Sequence, residues 1–136
     1  EMPGEEYYTD LYRVNLGRTA LLRLLESRRC KKIILPYFLC ESVVHTCSEN
    51  QIETEFYHLD EKLEVQYPKG QLPEGVYLYL VSYYGQLSDD RILEYKKLYG
   101  NIIVDHTHAF FQRPLKGIDT LYSCRKFWGV SDGAYL

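Results

Sequence analysis

The sequence predicts an α/β fold, with three layers in the order α/β/α around a mostly parallel sheet. Short apolar runs alternate with amphipathic segments in the order helix, strand, helix, strand, strand, helix, strand, strand. The run V-Y-L-Y-L-V at residues 76–81 is typical of a central strand that is buried on both faces. Two later runs end directly in polar clusters, and open α/β sheets bind ligands beyond such strand ends.

Length and composition narrow the classes of protein and partner. The chain has 136 residues, enough for one domain with a hydrophobic core but not comfortably two. A net charge of −3 gives no basic surface, so we expect no nucleic-acid partner. The 14 tyrosines are spread along the chain and are interpreted as half-buried packing residues.

The cysteines and the hydropathy pattern indicate a cellular compartment. The four cysteines contain no C-x-x-C pair, which favours reduced thiols over disulfides. No apolar run is long enough to span a bilayer, and the N-terminus lacks the layout of a signal peptide. We therefore expect a soluble, cytoplasmic protein without a membrane partner.

The first regular element is predicted to be a helix at residues 18–29, after an irregular acidic lead-in at residues 1–10. Four leucines have helical spacing, namely Leu21, Leu22, Leu24 and Leu25. The segment N-L-G-R-T-A precedes it, with Gly17 and Thr19 at the helix start. Free backbone N–H groups there would form an anion site, although these residues alone favour a plain helix start.

The middle of the chain is predicted to form two strands, a helix and a loop. K-K-I-I-L-P at residues 31–36 is a short strand that ends at Pro36, and a helix follows through about residue 47. The alternation I-E-T-E-F-Y predicts a strand at residues 52–57. Residues 64–75 are rich in proline and glycine and are interpreted as a loop.

The strand at residues 76–81 is followed by a predicted helix at residues 88–99. Ser88 or Asp89 would cap it, with acidic residues early and lysines late. Gly100 would end it. This pattern supports the alternation of helices and strands on which the fold class depends.

The two polar clusters follow the last two predicted strands. Residues 102–104 end at Asp105, which His106 and His108 follow, and residues 118–122 end at Ser123 with Lys126 three residues later. An acid on one strand end and Ser-x-x-Lys on the next suit pyridoxal 5′-phosphate (PLP). The lysine would form a Schiff base with the aldehyde, and the carboxylate would keep the pyridine nitrogen protonated.

This pattern resembles fold-type I aminotransferases, most closely the DegT/StrS-type family of PLP-dependent sugar aminotransferases. In that family a strand ends in Asp-x-x-His or Asp-x-x-Gln, and a later segment carries a serine, the Schiff-base lysine and an acidic-Gly pair. The matching positions are Asp105, His108, Ser123, Lys126, Asp132 and Gly133. The resemblance implies a fold-type I large domain, and it covers nearly the whole chain.

The resemblance also implies roles for other residues. The cofactor phosphate would be held at the helix start by Gly17, Arg18 and Thr19, with Ser123 as a further candidate. An aromatic ring after Pro36 would cover the cofactor; Tyr37 and Phe38 are the candidates, and Cys40 stands where some relatives place that ring.

Transamination is the activity that the resemblance implies. Lys126 would hold PLP and then move a proton between donor and cofactor carbons, while Asp105 would keep the ring nitrogen charged. His108 would lie near the phenolic oxygen. The substrates would be an amino-acid donor such as glutamate and a keto-sugar nucleotide.

The resemblance implies that the chain is a truncated large domain, residues 1–136, without the small C-terminal domain. The strand after the lysine, starting at residues 133–136, would run antiparallel between the first strand and the rest of the sheet. The strand at residues 33–35 would then have only a stub beside it, with unpaired backbone. We therefore expect little activity and self-association, as a homodimer or larger assembly.

Two alternatives belong to other classes of protein. Asp105, His106 and His108 could serve a metal-dependent hydrolase, because His-x-His on a strand places both rings on one face. The chain could also be a catalytically silent binding domain with an aminotransferase fold. From the residues alone, both histidines could be structural and Lys126 a solvated lysine.

Overall fold

The computed structural model describes residues 7–136, and the acidic lead-in at residues 1–6 lies outside the described residues. The regular elements in chain order are β1 (Arg13–Val14), α1 (Gly17–Ser27), β2 (Lys32–Pro36), α2 (Glu41–Glu49), β3 (Glu53–Leu59), β4 (Val65–Gln66), β5 (Val76–Val81), α3 (Asp89–Tyr99), β6 (Ile102–Asp105), β7 (Asp119–Ser123) and β8 (Ala134–Tyr135). Short 3₁₀ turns follow β5 and β7.

One sheet contains all eight strands, in the order β1-β8-β7-β6-β5-β2-β3-β4. The five central strands, from β7 to β3, are mutually parallel. Within residues 7–136, antiparallel pairs occur only at the two ends of the sheet, where β8 joins β1 to β7 and β4 pairs with β3. The predicted mostly parallel sheet is confirmed.

Two hydrophobic clusters, one on each face of the sheet, create the three layers. Alternate residues of a strand point to opposite faces, so Ile33 and Ile34 belong to different clusters. The first cluster packs the sheet against α1 and α2, and the second packs it against α3. Helices on both faces explain why β5 and β6 are composed almost entirely of large apolar and tyrosine residues.

The ends of α1 and α3 are built differently. Ser88 caps α3 by accepting a hydrogen bond from the Arg91 N–H, and Gly100 ends that helix with φ 75°. Helix α1 begins after Leu16, which provides no side-chain cap. Its first-turn N–H groups therefore remain open to another acceptor.

The prediction of an incompletely paired strand at residues 33–35 is wrong. Strand β2 lies inside the sheet and pairs in parallel with β3 on one side and β5 on the other. The strand that follows the lysine does run antiparallel, but its neighbours are β7 and β1. The first strand of the sheet is β1, which stands in the place that the prediction gave to β2.

Two short strands were absent from the predicted order. Strands β1 and β4 have two residues each, too few for a recognisable alternation. Strand β4 lies within the predicted loop at residues 64–75.

Within residues 7–136, no helix is long and apolar enough to cross a membrane.

Candidate cofactor site

A cavity of about 700 Å³ lies at the carboxyl ends of β5, β6 and β7. The start of α1 and the segment that leads into α2 form its other walls. Polar and charged residues from these elements meet there: Arg18, Cys40, Ser42, Tyr79, Tyr83, Asp105, Thr107, His108, Ser123, Arg125 and Lys126. Parallel strands deliver their C-terminal residues to the same sheet edge, which explains why separate sequence clusters converge.

Asp105 is the last residue of β6 and is only 7% exposed. Its Oδ2 accepts a hydrogen bond of 2.8 Å from the Tyr79 hydroxyl, and its Oδ1 accepts one of 2.7 Å from the Thr107 N–H. Burial, and next the negative charge of Asp105, raise the pKa of Tyr79 well above its usual value. The tyrosine therefore remains protonated and acts as a hydrogen-bond donor.

Lys126 lies in the 3₁₀ turn Cys124–Lys126 directly after β7, and its exposed side chain lines the cavity. The Cys124 N–H donates to the Gly133 carbonyl at 2.9 Å, which ties this turn to the segment before β8. No carboxylate of the described chain forms an ion pair with the lysine. Asp105 ends β6 and Lys126 follows β7, so the two residues reach the cavity from neighbouring strands.

The start of α1 meets the end of β7. A Cβ placed on Gly17 would lie 3.7 Å from the Cβ of Ser123, so little space separates the two segments. Gly17, Arg18 and Ser123 line the cavity, whereas Thr19 is not among its lining residues. Uncapped N–H groups beside a hydroxyl form a suitable site for an anion.

The two histidines after Asp105 face different surroundings. His108 lines the cavity, its ring stacks on Tyr84 with centroids 5.9 Å apart, and its buried Nδ1 has no partner within the described chain. His106 is 1% exposed, and its Nδ1 lies 3.3 Å from the Tyr122 hydroxyl. Burial lowers the pKa of His106, which favours the neutral ring.

No metal-binding group is formed by these side chains. Both histidines lie beyond the end of β6, so the strand geometry that would place their rings on one face does not apply. Across residues 7–136, no cluster of three histidine, cysteine, aspartate or glutamate side chains is arranged to hold a metal ion.

The segment after β2 supplies one aromatic ring to the cavity. Phe38 is 60% exposed, lines the cavity and stacks on Tyr83 at 5.2 Å, while the Tyr83 hydroxyl donates to the Phe38 carbonyl. Tyr37 stacks on His58 instead and does not line the cavity. Cys40 does line it, with its Sγ 3.1 Å from the Ser42 hydroxyl.

Tyr79 and Arg125 line the cavity but are not singled out by the sequence pattern, whereas Tyr83 belongs to the polar cluster S-Y-Y-G that follows the strand at residues 76–81. Tyr79 lies inside a strand that was interpreted as core, and its ring is indeed in the core. Its hydroxyl bonds to Asp105, and both residues line the cavity. The proximity of Arg125 to Lys126 in the chain was the one available signal for that residue.

Comparisons with known proteins find similarity in structure only. No protein-family model matches the chain, and no curated protein matches it. Tyrosine aminotransferase from Leishmania infantum superposes with a TM-score of 0.67 at 13% identity, over 93% of this chain and 39% of that one. Phosphoserine aminotransferase from Cytophaga hutchinsonii superposes with a TM-score of 0.66 at 15% identity, over 92% of this chain and 38% of that one. A structure described as SPT with PLP superposes with a TM-score of 0.63 at 20% identity, over 94% of this chain and 38% of that one.

These likenesses establish the class of fold. The chain has the mostly parallel sheet and flanking helices of the large domain of fold-type I PLP-dependent transferases. It spans about two fifths of the length of these solved structures.

The cavity residues fit PLP. A buried carboxylate at Asp105 matches a protonated ring nitrogen, and the Lys126 amine matches an aldehyde. The open N–H groups of α1 beside Ser123 match a phosphate. The Nδ1 of His108, which has no partner among the described residues, offers a further polar contact, and about 700 Å³ is within the range of cofactor pockets.

Proposed function

We propose that this protein is a PLP-dependent aminotransferase or a domain of one. The observation that carries the proposal is the convergence of Asp105 and Lys126 on one cavity beside the uncapped start of α1. A cation-holding carboxylate, an amine and an anion site are the three groups that the pyridine, aldehyde and phosphate of PLP require.

When bound, PLP supplies an electron sink for the bonds of an amino acid. Lys126 Nζ would hold the cofactor covalently and later move a proton between the donor carbon and the cofactor carbon. Asp105 would keep the proton on the ring nitrogen. Phe38 would cover the ring, and His108 would contact its phenolic oxygen.

The phosphate would be held where α1 meets β7. Backbone N–H groups of Gly17, Arg18 and Thr19 and the Ser123 hydroxyl would donate to it, and the positive end of the helix dipole would favour its charge. Thr19 is not among the residues that line the cavity, and its proposed role rests on its backbone N–H in the first turn of α1.

Within the fold-type I class we propose a DegT/StrS-type enzyme of nucleotide-sugar biosynthesis. The donor would be an amino acid such as glutamate and the acceptor a keto-sugar nucleotide. Arg18 and Arg125 support an acceptor that carries phosphates, because both line the cavity and neither has a carboxylate partner in the described residues. A cytoplasmic location follows from this chemistry as part of the proposal.

We further propose that residues 1–136 form part of a PLP-binding large domain, have little activity alone and self-associate. The chain spans about two fifths of the length of the similar solved structures, which supports a partial domain with little activity of its own. Light scattering tests whether it self-associates. A monodisperse monomer that converts the cofactor to its amine form when glutamate is added would contradict both the low activity and the self-association.

The cofactor assignment is tested by adding PLP and recording the near-ultraviolet to visible spectrum. Borohydride reduction followed by peptide mapping is expected to place the cofactor mass on Lys126. Label on Lys116 or no label would contradict the assignment, and Lys116→Arg is the matched control that should leave labelling unchanged. Labelling with no trace of conversion by glutamate would favour a silent binding domain over an enzyme of low activity.

A further inference from the structure

Tyr79 provides the side-chain donor that reaches the Asp105 carboxylate within residues 7–136. Its Oη donates to Asp105 Oδ2 at 2.8 Å, and both residues line the cavity. In the register of β5 and β6, Tyr79 lies beside Ile103 and Val81 beside Asp105. Tyr79 and Asp105 are therefore diagonal neighbours on adjacent strands, and their side chains lie on the same face of the sheet.

We propose that Tyr79 is a positioning residue, which fixes the orientation of the Asp105 carboxylate toward the ring nitrogen of bound PLP. The inference rests on the proposed function, because it assigns a task to the same cavity. Tyr79 itself would not contact the reacting atoms.

The hydrogen bonds leave the carboxylate with one orientation and with free acceptor capacity. The Thr107 N–H occupies one site on Oδ1, and the Tyr79 hydroxyl occupies one on Oδ2. Rotation about the Cβ–Cγ bond would break both bonds. Each carboxylate oxygen accepts about two hydrogen bonds, so a third donor in the cavity can still be accommodated. Bonds to an ionised acceptor are also among the stronger hydrogen bonds.

Tyr79 is itself held rigidly. Its side chain is 1% exposed and belongs to the core cluster that packs against α1 and α2. Its backbone carbonyl accepts a hydrogen bond of 2.8 Å from the buried Tyr57 hydroxyl. The raised pKa of Tyr79 keeps its proton in place, so the donor persists at any working pH.

The test is Tyr79→Phe, which removes the hydroxyl and keeps the ring. PLP affinity is measured by absorbance titration, and the spectrum of the bound cofactor is followed against pH. We expect affinity to fall about tenfold, the effect of one hydrogen bond to a charged group. The pH at the midpoint of the spectral change of bound PLP should move toward the value found for Asp105→Asn. In the Asp105→Asn background the same substitution should have little further effect, because the two residues act as one unit.

Tyr99→Phe is the matched control, since it removes a buried tyrosine hydroxyl that donates to the Tyr67 carbonyl in the cluster on the other face of the sheet. Circular dichroism monitors folding of each variant. A Tyr79→Phe protein whose affinity and midpoint equal those of the Tyr99→Phe control would overturn the inference while leaving the PLP assignment intact. A parent protein without any cofactor spectrum would instead overturn the proposed function.

Discussion

Gly17 and Ser123 hold the first turn of α1 against the last residue of β7, with 3.7 Å between a Cβ placed on Gly17 and the Cβ of Ser123. This contact joins a helix start and a strand end that are far apart in the chain. It leaves space beside the backbone N–H groups of α1 that no side-chain cap fills. The size of residue 17 should therefore determine whether an anion can enter.

Enlarging Gly17 is expected to block the phosphate position. Gly17→Ala should be tolerated, because its Cβ would make an ordinary van der Waals contact. Gly17→Val should weaken PLP binding by at least about tenfold, since its methyl groups would enter the anion site. Gly129→Val is the control, because a Cβ at Gly129 meets no atom within 4 Å. Equal affinities for the two valine variants, measured by absorbance titration, would contradict this site.

Asp105→Asn is expected to preserve the fold and to slow the conversion of PLP by glutamate at least about a hundredfold. An amide cannot hold the pyridinium proton by charge. The comparison is made by absorbance over a single turnover, so that slow conversion is also resolved. Asp119→Asn is the control, because it breaks a pair with Arg28 at the opposite end of β7. Unchanged conversion in Asp105→Asn would remove Asp105 from the mechanism.

Acid is expected to destabilise the fold partly through His106. Burial lowers the pKa of His106 in the folded state, so the unfolded chain binds the proton more readily. The stabilisation from the neutral ring is complete above about pH 6.5 and is lost as the pH falls toward the folded pKa. Protonation of this one group lowers the free energy of unfolding by at most about 1.4 kcal/mol per pH unit.

The measurement is denaturant unfolding at several pH values from 5 to 8. His106→Phe should have a flatter pH profile than the parent, whereas His45→Gln, at an exposed histidine, should not. Parallel profiles for the parent and His106→Phe would show that His106 does not contribute.

Cys40 is expected to react before Cys30 and Cys47 with a limiting amount of iodoacetamide. The hydrogen bond with Ser42 lowers the pKa of Cys40, whereas burial raises the pKa of Cys30 and Cys47 to about 11. Because Cys40 lines the cavity, PLP should slow its alkylation. Ser42→Ala should slow it without PLP, and mass spectrometry of peptides identifies the labelled thiol. Faster labelling of Cys47 would contradict this ranking.

The fold class was predictable because its signals are local and repeated. The run at residues 76–81 became β5 with the same bounds, and the helix predicted at residues 88–99 became α3 with Ser88 as its cap. Both depend on period and capping, which neighbouring residues determine. The positions of Asp105 and Lys126 at one sheet edge followed from the parallel arrangement.

What could not be predicted depends on contacts between distant residues. The partners of β2 follow from the strand order of the whole sheet, which the pattern I-I-L does not encode. The hydrogen bond from Tyr79 to Asp105 requires the register of β5 against β6. The separation of His106 from His108 required knowledge that the strand ends before both residues.

The pairing of β1 with β8 has a consequence for how the chain folds. Tyr12 and Leu136 exchange backbone hydrogen bonds of 3.0 and 2.9 Å, so the earliest strand obtains its partner from the latest one. Helix α1 packs on β7 and β8, and its final position is therefore also fixed late. Closing so long a loop is slow on entropic grounds. The parallel centre of the sheet can collapse first, and the wall of the cavity that includes Gly17 is completed only when the last strand docks.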